Sequence, residues 1–376
     1  MRSHVYKILL TFSALGLVWT GCEKESPSEI HSLEKPEVLL ISPSAGYGGD
    51  TLMVVVANFD ADTTTFVTFD GVPLPILSVN RRVIQVAIPQ LSLEERSVDA
   101  EKKSIVQVGR RGSSEWSEPV EFSYLPVAST FRDDFDHPRG IDIDNGGNVY
   151  VSDSEEGVVY KVVGGRVKTV LAEDGLLMAT GDIAVDKDGN VFLCGGTQNA
   201  IYMIASGGDS IALFTDKVPE PYALDWDRDG NMYVMSGTGG IYKILADKTV
   251  QRVDAEGTVR RARSIHIVGD YVYWWERTDR TLRRADISGG VIGTVEDVYS
   301  NPKVVATDFA VDVKGNAYVV RDDDGVVLRI LAGGNVEEIA QLPAGSYKYI
   351  AYSGKYIYVV GLRGTIYKVY TGTLGA

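Results

Sequence analysis

From Pro138 onward the chain repeats itself, and this constrains its fold more than any other feature. The segments PRGIDIDNGGNVYVSDSEEGVVYKVV (138–163), GDIAVDKDGNVFLCGGTQNAIYMIA (181–205) and PYALDWDRDGNMYVMSGTGGIYKIL (221–245) are three copies of one unit. ATDFAVDVKGNAYVVRDDDGVVLRIL (306–331) is the fifth. The fourth, ARSIHIVGDYVYWWERTDRTLRRADI (262–287), and the sixth, YKYIAYSGKYIYVVGLRGTIYKVY (347–370), are degenerate. Aligned on Asn148, Asn190, Asn231, Asp270, Asn316 and Lys355, the steps are 42, 41, 39, 46 and 39 residues. A period near 40 with three or four short strands per unit is the signature of a β-propeller, and six copies imply six blades.

Each part of the unit has a physical reason. The first strand ends in Asp-x-x-Gly-Asn, which turns tightly because Gly and Asn tolerate positive φ and Asp can bond its own backbone. Asp144, Asp186, Asp188, Asp227 and Asp229 are therefore read as turn formers; a calcium loop would need spaced oxygen ligands and a terminal Glu. The next strand alternates, and the third (VVYKVV, AIYMIA, GIYKIL, TIYKVY) keeps an aromatic that can pack between blades. One blade cannot bury both its faces, whereas a closed ring can. The units resemble NHL repeats over about two-thirds of the chain. Five copies are followed by an extra strand such as RVKTVLA, SIALFTD or NVEEIAQ, and the sixth has little left to supply one. Val127–Phe135 (VASTFRDDF), ahead of the first copy, resembles the missing outer strand and is expected to complete the last blade.

At the other end, Arg2, His4 and Lys7 precede the apolar run Ile8–Trp19 and then Thr20-Gly21-Cys22. That run is shorter than the roughly 20 residues a spanning helix needs, so it reads as the apolar part of an export signal. A small residue before a cysteine at this place resembles the lipobox of bacterial lipoproteins, with Trp19 where Leu is usual. The resemblance implies cleavage after residue 21 and lipidation of Cys22. The acidic Glu23 and Glu25 resemble the surface-export signal of Bacteroidota lipoproteins and imply an outer-membrane protein facing the cell surface. Residues 22–35 are polar and aperiodic, a flexible tether. From residue 36 short β-branched and aromatic runs are broken by Pro and Gly, as in a sandwich of about seven strands. Ser42-Pro43-Ser44-Ala45-Gly46, Gly48-Gly49, Asn58-Phe59, Val67-Thr68-Phe69-Asp70-Gly71 and Phe122-Ser123-Tyr124 resemble the IPT/TIG family, whose members serve as spacers or binding modules. The expected chain is all-β: signal 1–21, tether 22–35, immunoglobulin-like β-sandwich 36–126, six-bladed β-propeller 127–376.

Composition narrows the function. The net charge is −14, and no basic stripe for nucleic acid is present. With Cys22 lipidated, Cys194 in VFLCGG has no partner for a disulfide and reads as a buried thiol. Of four histidines, His4 lies in the signal and His31 in the tether; His137 reads as a loop residue and His266 as a strand residue. The sequence gathers no acidic constellation around them, so neither a metal nor another cofactor is expected. Gly-x-Ser-x-Gly, a phosphate loop and paired acids are absent as well. Enzymatic action as a propeller lyase or hydrolase is thus the minor reading. The major one is recognition on the face built by the loops into each inner strand and between second and third strands. That face would collect His137, Arg139, Tyr222, Arg263, Trp274, Trp275, Arg321, Tyr347, Tyr349 and Arg363. Adjacent tryptophans on a strand point to opposite sides, so one of Trp274 and Trp275 is expected at the rim; the alternative is that both fill space between blades. Aromatic rings beside Arg suit a sugar face or a protein hot spot. The expectation is a surface lipoprotein capturing glycan for an outer-membrane transporter, with a protein partner as the alternative.

Overall fold

The computed structural model describes residues 34–372, apart from 59–64, 112–113, 176, 178–180, 196–197 and 362. Cys22, the signal and most of the tether lie outside the described residues.

The N-terminal part is a sandwich of two sheets. One is ordered Glu37–Ser42, Thr51–Ala57, Val83–Ala87, Ile76–Asn80; the other is Ala45–Gly46, Val120–Tyr124, Lys102–Arg110, Thr65–Phe69, Val72–Pro73. Alternation decides which side chains enter. In Thr51–Ala57, Leu52, Val54 and Val56 are fully buried against Ile84, Val86, Val106, Val108 and Phe122, while Met53 faces out.

Six four-stranded antiparallel sheets follow, forming the propeller. The inner strands of blades 1 to 6 are Pro138–Ile143, Ile183–Val185, Pro221–Trp226, Ala262–Val268, Ala310–Val311 and Tyr347–Ser353. The turn after the inner strand is built alike four times. Asp144, Asp186, Asp227 and Asp312 each take two backbone N–H groups on one oxygen and the amide of Asn148, Asn190, Asn231 or Asn316 on the other. These turn carboxylates are engaged within their own blades.

The ring closes as the sequence implies. Ala128–Arg132 is the outer strand of blade 6, antiparallel to Ile366–Tyr370, with Ser129 opposite Lys368. The Tyr370 N–H donates to the Val127 carbonyl at 2.7 Å, and Phe135 is buried between blades 6 and 1. Gly364 (φ +78°) is needed where this segment passes, because a Cβ there would fall 1.7 Å from the Phe135 carbonyl oxygen.

Between neighbouring blades lie six apolar clusters, one for each junction. The second strand of a blade is buried on both faces and serves two of them. In Val191–Cys194, Val191 and Leu193 pack toward blade 1, and Phe192 and the buried Cys194 toward blade 3. Tyr271–Glu276 of blade 4 behaves the same way and corrects the rim expectation for its tryptophans. Trp274 packs toward blade 3 and Trp275 toward blade 5, at 0% and 1% exposure. They do point to opposite sides, but both sides are interior.

Candidate functional site

The loops entering the inner strands and those between second and third strands make one face, and four of the candidate residues converge on it. Arg139, Tyr222 and Arg263 stand at the start of the inner strands of blades 1, 3 and 4, and Tyr349 in that of blade 6. The Arg263 guanidinium lies 4.6 Å from the centre of the Tyr222 ring, a cation–π stack that holds both. Burial pushes the Tyr349 phenol up; Asp182 and Asp308 add to this, while Arg139 and Arg263 oppose it. Tyr349 therefore sits within the fields of arginines from two other blades and of two channel carboxylates.

Beside this group is a cavity of about 520 Å³ lined by Gly237, Arg261, Ala262, Arg263, Arg277 and Thr278. Its shape depends on Gly237, where a Cβ would fall 2.1 Å from Cε2 of the Tyr222 ring. Arg261, Arg263 and Arg277 are exposed. Glu276, the residue before Arg277, is buried and accepts from the N–H groups of Arg260 and Arg261. The exposed guanidinium groups of Arg139, Arg261, Arg263 and Arg277 form no ion pair among the described residues, in a chain of net charge −14. Arg261 and Arg277 were not foreseen: they lie in loops with no motif, and only their places, just before one strand of blade 4 and just after the next, could have flagged them.

The remaining candidates do not join this group. Arg321 is held by Asp324, its Nε 2.8 Å from Oδ1. Tyr347 is buried, with its hydroxyl donating to the Pro343 carbonyl. Arg363 is exposed in the turn between the second and third strands of blade 6, and His137 pairs with Glu155. Trp274 and Trp275 are core.

A second polar group lines the central channel and also escaped the sequence reading. Blades 1 to 5 send in Asp142, Asp182, Asp225, His266 and Asp308, around a cavity of about 150 Å³. Each aspartate accepts the backbone N–H of another blade's inner strand: Val185 to Asp142 at 2.7 Å, Leu224 to Asp182 at 3.3 Å, Ile267 to Asp225 at 2.8 Å and Ile350 to Asp308 at 2.9 Å. Asp142 and Asp225 also take the N–H of the residue that follows, at 2.7 Å in both cases. The aspartates thus stitch blades together. The donors lie 42 or 43 residues from their aspartates, about one repeat along the chain.

His266 Nδ1 lies 3.5 Å from Asp225 Oδ2. Burial opposes its charge, but the bond to Asp225 and the fields of Asp225, Asp308 and Asp182 win and push its pKa up to about 9. Burial raises Asp142 to about 7 against the pull of its two N–H donors. Among the described residues, no group of three or more His, Cys, Asp or Glu side chains is arranged to hold a metal ion.

Residues 36–124 match the family model described as the IPT/TIG domain. No curated protein is similar to this chain in sequence. Among solved structures, the chain is similar to an auxiliary nutrient binding protein from Bacteroides ovatus, with a TM-score of 0.57 and 15% identity over 89% of this chain and 98% of that one. It is also similar to a gluconolactonase from Xanthomonas campestris, with a TM-score of 0.56 and 14% identity over 65% of this chain and 88% of that one. For virginiamycin B lyase from Staphylococcus aureus the TM-score is 0.52, with 13% identity over 65% and 98%. At these identities the likeness is one of fold.

Proposed function

We propose that this chain is a lipoprotein of the outer-membrane surface, anchored through Cys22, whose propeller binds glycan without transforming it and delivers it to an outer-membrane transporter. The observation that carries the binding reading is the convergence of Arg139, Arg263, Tyr222 and Tyr349 on one mouth, beside an open cavity whose exposed arginines form no ion pair among the described residues. Aromatic rings flanked by hydrogen-bond donors suit the apolar face and hydroxyls of a sugar ring. The fold shared with a nutrient binding protein over both parts of the chain agrees with this reading.

Isotherms of the full chain, purified in detergent, against a panel of polysaccharides test the proposal. Saturable binding is expected, weakened at least tenfold, or about 1.4 kcal/mol, in Tyr222→Ala and Arg139→Ala at unchanged melting temperature. Failure of every glycan would overturn it and leave a protein partner at the cell surface as the reading. The enzymatic reading draws on the channel, where His266 meets carboxylates, and on the lyase and gluconolactonase folds. The capture of those carboxylates by backbone N–H groups weighs against it. Turnover of a bound glycan that is lost on chelation would establish it.

A further inference from the structure

Resting on the glycan-binding reading, we propose that the ligand of the mouth is an acidic glycan, whose carboxylate or sulfate groups pair with Arg261, Arg263 and Arg277. The charge is the argument. The chain carries 51 Asp and Glu against 37 Lys and Arg, so a random surface patch is acidic. Several arginines elsewhere are answered by a local acid: Arg132 by Asp134, Arg252 by Asp254, Arg284 by Glu296 and Arg329 by Glu337. Within blade 4 itself, Arg283 takes both Asp279 and Asp297, leaving neither acid for the cavity wall.

The three cavity arginines have no such partner among the described residues, and the acids of blade 4 are engaged elsewhere. Glu276 is buried under the wall and spends its oxygens on two backbone N–H groups, with Arg283 3.9 Å away. Glu220, whose carboxylate approaches Gly237 of the cavity lining, forms no ion pair with the three among the described residues. Like charges gathered at an open cavity repel one another and cost stability unless something anionic binds there. A neutral sugar needs donors and acceptors in mixture. Three guanidinium groups supply donors only, in the planar fork that matches a carboxylate or a sulfate. The Tyr222 ring, stacked with Arg263, borders the cavity at Gly237.

The test compares polygalacturonate with its fully methyl-esterified form, and dextran sulfate with dextran, on the full chain in detergent. Each pair shares a backbone and differs in charge. The proposal expects at least tenfold tighter binding of one charged member than of its neutral partner, steeply weakened by salt. Which pair discriminates tells carboxylate from sulfate. Arg263→Gln with Arg277→Gln should abolish the preference while the melting temperature holds, whereas Arg284→Gln, already paired with Glu296, should leave it intact. Equal binding within both pairs, or binding confined to neutral glycans in a wider panel, overturns the acidic ligand but keeps the glycan reading. No binding of any glycan overturns both. A charge preference that survives the double substitution also overturns it, because the acid is then recognised elsewhere.

Discussion

A Cβ at position 237 would strike the Tyr222 ring, so Gly237→Val should turn that ring away from the cavity. Ligand affinity should fall about tenfold, roughly 1.4 kcal/mol, with little change in melting temperature, because the site lies outside the blade core. Trp274→Ala should do the reverse. Removing a fully buried tryptophan costs about 3–5 kcal/mol, so that variant should melt far lower, and any loss of binding would follow from unfolding. The sequence showed that the two rings diverge; it could not show that both sides of the strand are interior, because that is a property of neighbouring blades. Arg139, Tyr222, Arg263 and Tyr349 were legible because the repeat assigns each to the same end of an inner strand.

His266 adds a pH dependence. Its pKa is raised from an unfolded value of about 6.5 to about 9, so the charged form favours the folded state. That contribution is complete below about pH 6.5 and disappears as pH rises through 9. The melting temperature of His266→Gln should therefore lie further below wild type at pH 6 than at pH 10; an equal gap at both would show that the Asp225 pair does not stabilise the fold. Asp142 acts at lower pH. Its raised value penalises the folded state increasingly between pH 4 and about 7.

At the scale of elements, the four Asp-x-x-Gly-Asn turns, the six copies and the closing strand were all readable, because each depends on local chemistry or on a count. The inter-blade aspartates were not. An aspartate in a strand looks like an error of patterning until the next blade supplies its N–H donor, as Ile350 does for Asp308. Closure carries the prediction for this scale. Deleting residues 127–135 removes the outer strand of blade 6 and the Phe135 plug, and should lower the melting temperature sharply. An unchanged melting curve would mean that the ring does not need this strand.

Across the whole molecule, the sandwich does not hang from the propeller by a loose linker. Tyr47 stacks on Tyr370 with ring centres 3.5 Å apart and planes 9° from parallel. Arg96 Nη1 donates to the Glu338 carbonyl at 2.8 Å. Residues 97 and 98 bridge to Gln341 of blade 5 and to Ala128 of the closing strand, and Thr130 donates to Asp99. The spacer is therefore docked on blades 5 and 6, a contact that patterning within either part could not reveal. Tyr47→Ala with Arg96→Ala should split thermal unfolding into two transitions; a single unshifted transition would contradict the dock.

The most direct test of the account is a crystal structure of the chain with the tightest-binding oligosaccharide from the polysaccharide panel. A sugar ring is expected beside Tyr222, in the cavity between Arg263 and Arg277, with the channel carboxylates still bonded to the neighbouring blades. An oligosaccharide seated on the opposite face of the propeller, in the channel against His266, or on the immunoglobulin-like sandwich would contradict it.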